Sequence, residues 1–220
     1  MKKKRINFLF IICLLNFFIF FFVINKKTLS GVYDEDRGRP LSQEEQREKA
    51  LGIDRKERDS EYVLKEKFLR DIELNNMENF KLFLRNNGND ADFIVNNKNP
   101  LTHAASINNF EIVKYLLNET EIDIDTADGL GNTALILASE KGLLEVVNFL
   151  INKGANVNYQ NKQGVTPAMK AAEGNNFFVV KLLLEKNVDL TISDFTGRTL
   201  REISENSRDK RILKLLNENS

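Results

Sequence analysis

The sequence predicts an all-α protein in which about five helix-turn-helix units stack into a solenoid, preceded by a single apolar N-terminal helix. Two observations carry that reading. One pattern returns every 33 or 34 residues between Glu66 and Leu216, and Ile6 to Ile24 is a run of 19 residues without a charge. Periods of this length mark repeat arrays, and uncharged runs of this length mark helices that span a bilayer.

The clearest unit begins at Asp128. Asp128-Gly129-Leu130-Gly131-Asn132-Thr133 is a glycine-rich turn, Ala134 to Lys141 a short helix, and Gly142 its stop. Leu143, Val146, Val147, Leu150 and Ile151 then give a second helix, closed by Gly154-Ala155-Asn156-Val157-Asn158. The same ladder follows at Gly164-Val165-Thr166-Pro167-Ala168 with Ala171-Ala172, Val179-Val180 and Leu183-Leu184, and at Gly197-Arg198-Thr199-Leu200 with Ile212, Leu213 and Leu216. Upstream it is met at Asn99-Pro100-Leu101 with Ala104-Ala105, Ile112-Val113 and Leu116-Leu117. With Thr133, Thr166 and Thr199 as anchors, the equivalent residues are Asn99 and Glu66, at intervals of 33, 34, 33 and 33.

These residues resemble ankyrin repeats, whose pattern includes Thr-Pro-Leu-His at a period of 33. Thr166-Pro167-Ala168-Met169 and Thr133-Ala134-Leu135-Ile136 follow it without the histidine, and Asn99-Pro100-Leu101-Thr102 places Thr102 there, with His103 one residue beyond. Because that histidine usually supports the turn, the resemblance implies turns held less uniformly here. It covers roughly 150 of the 220 residues and implies a fold with no chemistry attached.

Each helix pair has one apolar face that it cannot bury alone, so stacked neighbours make the core continuous. Small Ala residues at 104, 105, 138, 171 and 172 let first helices approach, and Leu, Ile and Val of the second helices fill the space between units. The ends need a soluble side. Glu66 to Leu84 is read as an N-terminal cap and Arg198 to Leu216 as a C-terminal one.

Overall neutrality hides two parts. Met1 to Lys27 carries six Lys or Arg and no acid, leaving 26 basic residues against 32 acidic ones elsewhere. Lys2-Lys3-Lys4-Arg5 precedes Ile6 to Ile24, which contains seven Phe and no face suited to water. As a helix this run is about 28 Å long, close to the hydrocarbon core of a bilayer. The excess of positive charge before it expects a cytoplasmic N-terminus and a repeat domain outside. The run exceeds a signal-peptide core, and Thr28-Leu29-Ser30 is a poor cleavage site, so residues 1–27 are expected to be an uncleaved anchor, the alternative being export with cleavage. Cys13 lies inside the run, which leaves the exterior part without a thiol.

Residues 28–59 are charged and are read as a linker, with a short helix from Gln43 to about Leu51 on the capping-box spacing of Ser42-Gln43-Glu44-Glu45. Residues 60–220 form the repeat domain, with units starting near 66, 99, 133, 166 and 199.

No constellation for catalysis survives inspection. A single histidine excludes a multi-His metal site. Asp123 and Asp125 fall in the loop that holds the extra residue of the 34-residue interval, and Gly129 and Gly131 belong to a repeated turn without the Lys-Ser or Lys-Thr of a phosphate loop. Asn118-Glu119-Thr120 has N-glycosylation spacing, a three-residue match. The expectation is therefore no enzyme, no metal, no cofactor and no small-molecule substrate. Acidic excess argues against nucleic acid.

What remains is a surface. The resemblance implies that partners meet the turn tips and the exposed side of the first helices. The candidate protein-binding residues are Leu130, Asn132, Glu140, Lys141, Gln163, Val165, Glu173, Phe195 and Arg198, with Leu130, Val165 and Phe195 expected to form an apolar strip along the tips. The expected partners are an unidentified protein and, through Ile6–Ile24, the lipid bilayer. Abundant Asn, Lys, Phe and Ile resemble proteins of AT-rich bacterial genomes, so the repeats are expected at the outer face of a bacterial cytoplasmic membrane, or in the periplasm or secreted after cleavage. The function expected is a binding module. The alternatives are an envelope scaffold without a dedicated partner groove and a secreted protein that blocks or protects against an enzyme.

Overall fold

The structure, a computed structural model, describes residues 55–218 apart from Asn187, together with Tyr33–Asp34, Arg39–Pro40 and Gln46. The chain divides at Glu61 and Tyr62 into two units. In the first, strands β1 (Tyr33–Asp34) and β2 (Arg39–Pro40) pair antiparallel, with Tyr33 opposite Pro40 and Asp34 opposite Arg39, inside the expected linker. Of the short helix expected at 43–51 only Gln46 is described, and it is helical.

Among the described residues there are five helix pairs, the first helix starting before the division and the rest lying within the second unit. They are α1 (Arg55–Glu73) with α2 (Met77–Asn86), α3 (Pro100–Ser106) with α4 (Phe110–Glu119), and α5 (Ala134–Lys141) with α6 (Leu144–Asn152). Then come α7 (Pro167–Glu173) with α8 (Phe177–Leu184) and α9 (Leu200–Asn206) with α10 (Lys210–Glu218).

Local chemistry sets these boundaries. The side chains of Asn99, Thr133, Thr166 and Thr199 accept from backbone N–H groups in the first turns of α3, α5, α7 and α9, where the first four donors of a helix lack intrahelical partners. In α3 and α9 the third helical residue, Thr102 or Glu202, reaches back to the cap and closes a capping box. In α5 and α7 that place is held by buried Ile136 and Met169, which cannot return the bond. The turns are therefore held unequally, at the position where the family pattern has histidine. Each of the first four units ends its first helix on a left-handed residue, Gly142 in the third and Asn75, Asn108 and Asn175 in the others, residue types that tolerate positive φ.

One cluster of buried apolar side chains runs from Phe68 to Leu216. Ala104, Ala105, Ala138, Ala171 and Ala172 are fully covered where α3, α5 and α7 pack side by side, while Val147, Leu150, Val180 and Leu183 project inward from the second helices. The N-terminal cap is aromatic: Phe68 stacks on Phe80 at a ring distance of 4.9 Å and packs against Phe83. Glu66 is not a turn residue here, because α1 runs unbroken over 19 residues through that position.

The structure gives no support to the membrane-spanning helix expected at Ile6–Ile24 or to a lipid-bilayer partner. Among the described residues no helix is long and apolar enough to cross a membrane. Ile6–Ile24 and Cys13 lie outside the described residues.

Candidate protein-interaction surface

The turn tips before α5, α7 and α9 are built from one device. Five residues before each capping Thr stands Asp128, Asn161 or Asp194. Asp128 Oδ1 accepts from the N–H of Leu130 and of Asn132 at 2.8 Å each. Asn161 Oδ1 accepts from Gln163 at 2.9 Å and Val165 at 3.0 Å, and Asp194 Oδ1 from Thr196 at 2.8 Å and Arg198 at 3.0 Å. Side chains of this length satisfy backbone donors that a tight turn leaves open. Two residues before the Thr, Gly131, Gly164 and Gly197 adopt φ of 80°, 78° and 87°, which glycine enters at no steric cost.

Neighbouring tips are tied through their backbones. Gly129 N–H donates to Asn97 O at 3.0 Å, Lys162 N–H to Leu130 O at 3.4 Å, and Phe195 N–H to Gln163 O at 3.0 Å. Lys162 Nζ also reaches back to Gly129 O at 2.8 Å. The tips therefore form a ladder whose geometry depends on carboxylate, amide and backbone groups, with no apolar side chain required to close it.

On this ladder Leu130, Val165 and Phe195 are not equivalent. Counted from the capping Thr they stand three, one and four residues before it, so their side chains leave the turn in different directions. Leu130 is 61% exposed and Phe195 76% exposed, but Val165 is 4% exposed and belongs to the core. The continuous apolar strip is thus replaced by two separate protrusions. Phe195 leans over the preceding tip, where a Cβ added to Gly164 would meet its ring at 2.7 Å. Asn132 is buried too, and its side-chain oxygen accepts from Asn161 Nδ2 at 2.8 Å, which makes it a strut between tips.

Gln163 and Arg198 are exposed, as are Lys141 and Glu173 at the C-terminal ends of α5 and α7, while Glu140 is half-buried. Three of these positions, Glu140, Glu173 and Arg198, are drawn together by two residues that the candidate set omitted. Lys170 lies 3.7 Å from Glu140 and 3.1 Å from Glu173, Glu173 lies 3.5 Å from Arg198, and Arg198 pairs with Asp194 at 2.8 Å. Burial pushes the Asp194 carboxyl up, yet the Thr196 hydroxyl and the Arg198 groups outweigh it and hold the group well below the usual carboxylate range. The sequence signals Asp194, which stands five residues before Thr199 as Asp128 and Asn161 stand before Thr133 and Thr166, but not Lys170, whose place is held by His103, Leu137 and Ile203 in other units.

The remaining polar candidates serve the fold. His103 is buried, its Nε2 2.9 Å from Glu73 Oε1, and burial with the nearby Lys98 charge lowers its pKa in spite of that carboxylate. Asp125 accepts the N–H of Asn156 at 3.0 and 3.2 Å, bracing one inter-unit loop against the next, and burial raises its pKa. Among the described residues no group of three or more His, Cys, Asp or Glu side chains is placed to hold a metal ion.

Comparison with known proteins agrees with this architecture. Residues 70–161 match the family model described as ankyrin repeats in three copies, and residues 150–204 the one described as ankyrin repeats in many copies. The chain is 30% identical over 128 residues to human BCL-6 corepressor-like protein 1, covering 56% of this chain and 7% of that protein. It is 32% identical over 117 residues to rat ankyrin repeat and SAM domain-containing protein 6, covering 52% and 13%. With the putative ankyrin repeat protein FPV031 of fowlpox virus it shares 34% over 142 residues, covering 61% and 42%. The chain thus spans less than half the length of each. These relatives come from animals and a virus, which overturns the bacterial origin and, with it, the placement at a bacterial membrane or in a periplasm. Over the matched residues the chain is an ankyrin-repeat protein–protein interaction module. The two matches together cover residues 70–204, more than half of the sequence, and the chain belongs to the ankyrin-repeat proteins.

Proposed function

We propose that the array is a scaffold which a partner protein meets across several turn tips and first-helix ends, without a single deep groove. The observation that supports this reading is the exposure of Leu130 and Phe195 on turns shaped by Asp128, Asn161, Asp194 and backbone bonds, so that neither side chain is needed to close its own turn. Large apolar side chains left mostly in water and not needed to close their own turns suit a protein surface, where such anchors dominate binding energy. The pairs joining Glu140, Lys170, Glu173 and Arg198 supply a charged border of both signs, which favours register and selectivity over raw affinity.

The test uses the full-length chain carrying Leu130→Ser and Phe195→Ser together. Its helical signal and melting midpoint are expected to match the parent, while capture of the parent's partner in a quantitative pull-down falls several-fold or more. A double variant that melts like the parent and retains the partner equally well would remove the tips from the surface. Loss of stability in step with loss of capture would instead assign both residues to neighbouring turns.

A further inference from the structure

The second-helix side of the array carries an independent feature, and the repeat supplies its own control. The second residue of each second helix is Glu78 in α2, Glu111 in α4, Glu145 in α6 and Arg211 in α10, but Phe178 in α8. The fold therefore has no need of an apolar group there. A carboxylate in the first turn also faces the positive end of the helix dipole, a stabilisation that α2, α4 and α6 take and α8 forgoes. Phe178 is nevertheless 64% exposed, while its neighbour Phe177 packs inward with Arg211 4.6 Å above its ring.

Phe178 stands on one wall of a groove between α6 and α8, facing Leu144, which is 43% exposed, with Leu182 also lining it. Glu145, Lys181 and Glu185 are the charged groups of its lining, giving a net charge of minus one. None of the three is in an ion pair among the described residues, unlike the linked charges at the ends of the first helices.

We infer that this groove docks a short amphipathic helix of a partner protein that presents two or three apolar side chains flanked by Lys or Arg. Two parallel helices leave a channel that accepts side chains at i, i+3 or i+4, and i+7, the spacing of an amphipathic helix laid along it. The two unpaired carboxylates favour a basic flank, and the single Lys181 offsets only one of them. A second copy of this chain is a poor occupant. The exposed parts of Leu144 and Phe178 amount to about 200 Å² of side chain, against about 800 Å² per partner in a stable dimer. This surface is separate from the turn tips, so it can stand or fall without them.

The probe is a fluorescein-labelled 18-residue helical peptide with Leu at i, i+4 and i+7 flanked by Lys, titrated with the full-length chain and followed by anisotropy. A second peptide replaces each flanking Lys by Glu. Saturable binding of the Lys peptide, with binding of the Glu peptide weaker by roughly tenfold, is expected, since that ratio corresponds to about 1.4 kcal/mol. Phe178→Gln, which leaves the net charge unchanged, is expected to weaken the Lys peptide about tenfold without lowering the melting midpoint. The pair Glu145→Lys with Glu185→Lys is expected to reverse the peptide preference, while Leu130→Ser with Phe195→Ser leaves both peptides unaffected. No saturable binding, equal binding of both peptides, or unchanged binding by Phe178→Gln would overturn the assignment. So would a dimer in sedimentation equilibrium that Phe178→Gln abolishes, which would make a second copy the occupant.

Discussion

His103 and Ser139 show how the repeat discloses what single residues contribute. His103, four residues after its cap, takes the place occupied by Leu137, Lys170 and Ile203 in later units, yet it is buried against Glu73 with Lys98 nearby. Its pKa lies below the ordinary 6.5 because burial and the Lys98 charge disfavour the imidazolium more than Glu73 favours it. The folded chain therefore binds this proton less readily than the unfolded chain. Its contribution is complete above about pH 6.5 and is lost as pH falls from there toward the folded-state value, with a slope of up to about 1.4 kcal/mol per pH unit. The chain has one histidine, so His103→Gln is expected to flatten urea-derived stability between pH 6.5 and 5.5, above the carboxylate range. Parallel profiles for parent and variant would place the titration elsewhere. Ser139 is the counterpart of Ala105 and Ala172, and its buried hydroxyl has no hydrogen-bond partner among the described residues. A buried, unpaired hydroxyl costs free energy that a methyl group does not, so Ser139→Ala is expected to raise stability by about 1 kcal/mol in urea melts. A variant less stable than the parent would mean that the hydroxyl is satisfied in solution.

At the level of helices, the period alone located nearly every element from α3 onward, because apolar spacing, capping Thr or Asn residues and left-handed Gly or Asn residues all repeat together. Two features were not legible. The upstream end of α1 escaped because the pattern at Glu66 supplies an apolar face without a turn, and the Arg-, Lys- and Glu-rich residues before it let the helix continue. The strip of Leu130, Val165 and Phe195 failed because apolar character was followed in place of register: one residue along a turn separates solvent from core, and counting back from each Thr distinguishes them. The same counting gives a test of packing. Leu150 is fully buried between units, and Leu150→Ala is expected to cost roughly 2 to 5 kcal/mol through lost contact and a residual cavity. Lys141→Ala, on the exposed end of α5, is expected to change stability by less than about 0.5 kcal/mol. Equal urea midpoints for the two variants would contradict the assigned faces.

Across the whole array, units are coupled only to their neighbours, and one repeated asparagine carries part of that coupling. Asn109, at the start of α4, donates to Ile72 O at 3.0 Å and to Asn75 Oδ1 at 3.1 Å, tying the second unit to the first. Asn176, at the start of α8, donates to Ser139 O at 2.9 Å and Glu140 O at 2.8 Å, carbonyls of the last turn of α5, of which Ser139 O also accepts from Gly142 N–H at 3.2 Å. Asn175 Oδ1 accepts from Arg208 N–H at 2.8 Å and joins the fifth unit to the fourth. Between the second and third units the equivalent residue is Leu143, which brings apolar contact but no amide. In a one-dimensional stack, weakening one junction loosens the units beyond it before it affects those on the far side. Asn176→Ala takes the side-chain donor from Glu140 O and leaves Ser139 O with Gly142 N–H alone, and is expected to cost about 1 to 3 kcal/mol. The loss should not be shared evenly. Hydrogen exchange followed by mass spectrometry is expected to accelerate in α7 to α10, change little in α1 to α4, and show α5 and α6 between them. A uniform acceleration from α1 to α10 would show that the five units unfold as one cooperative body, and that the Leu143 junction passes strain as fully as the asparagine ones do.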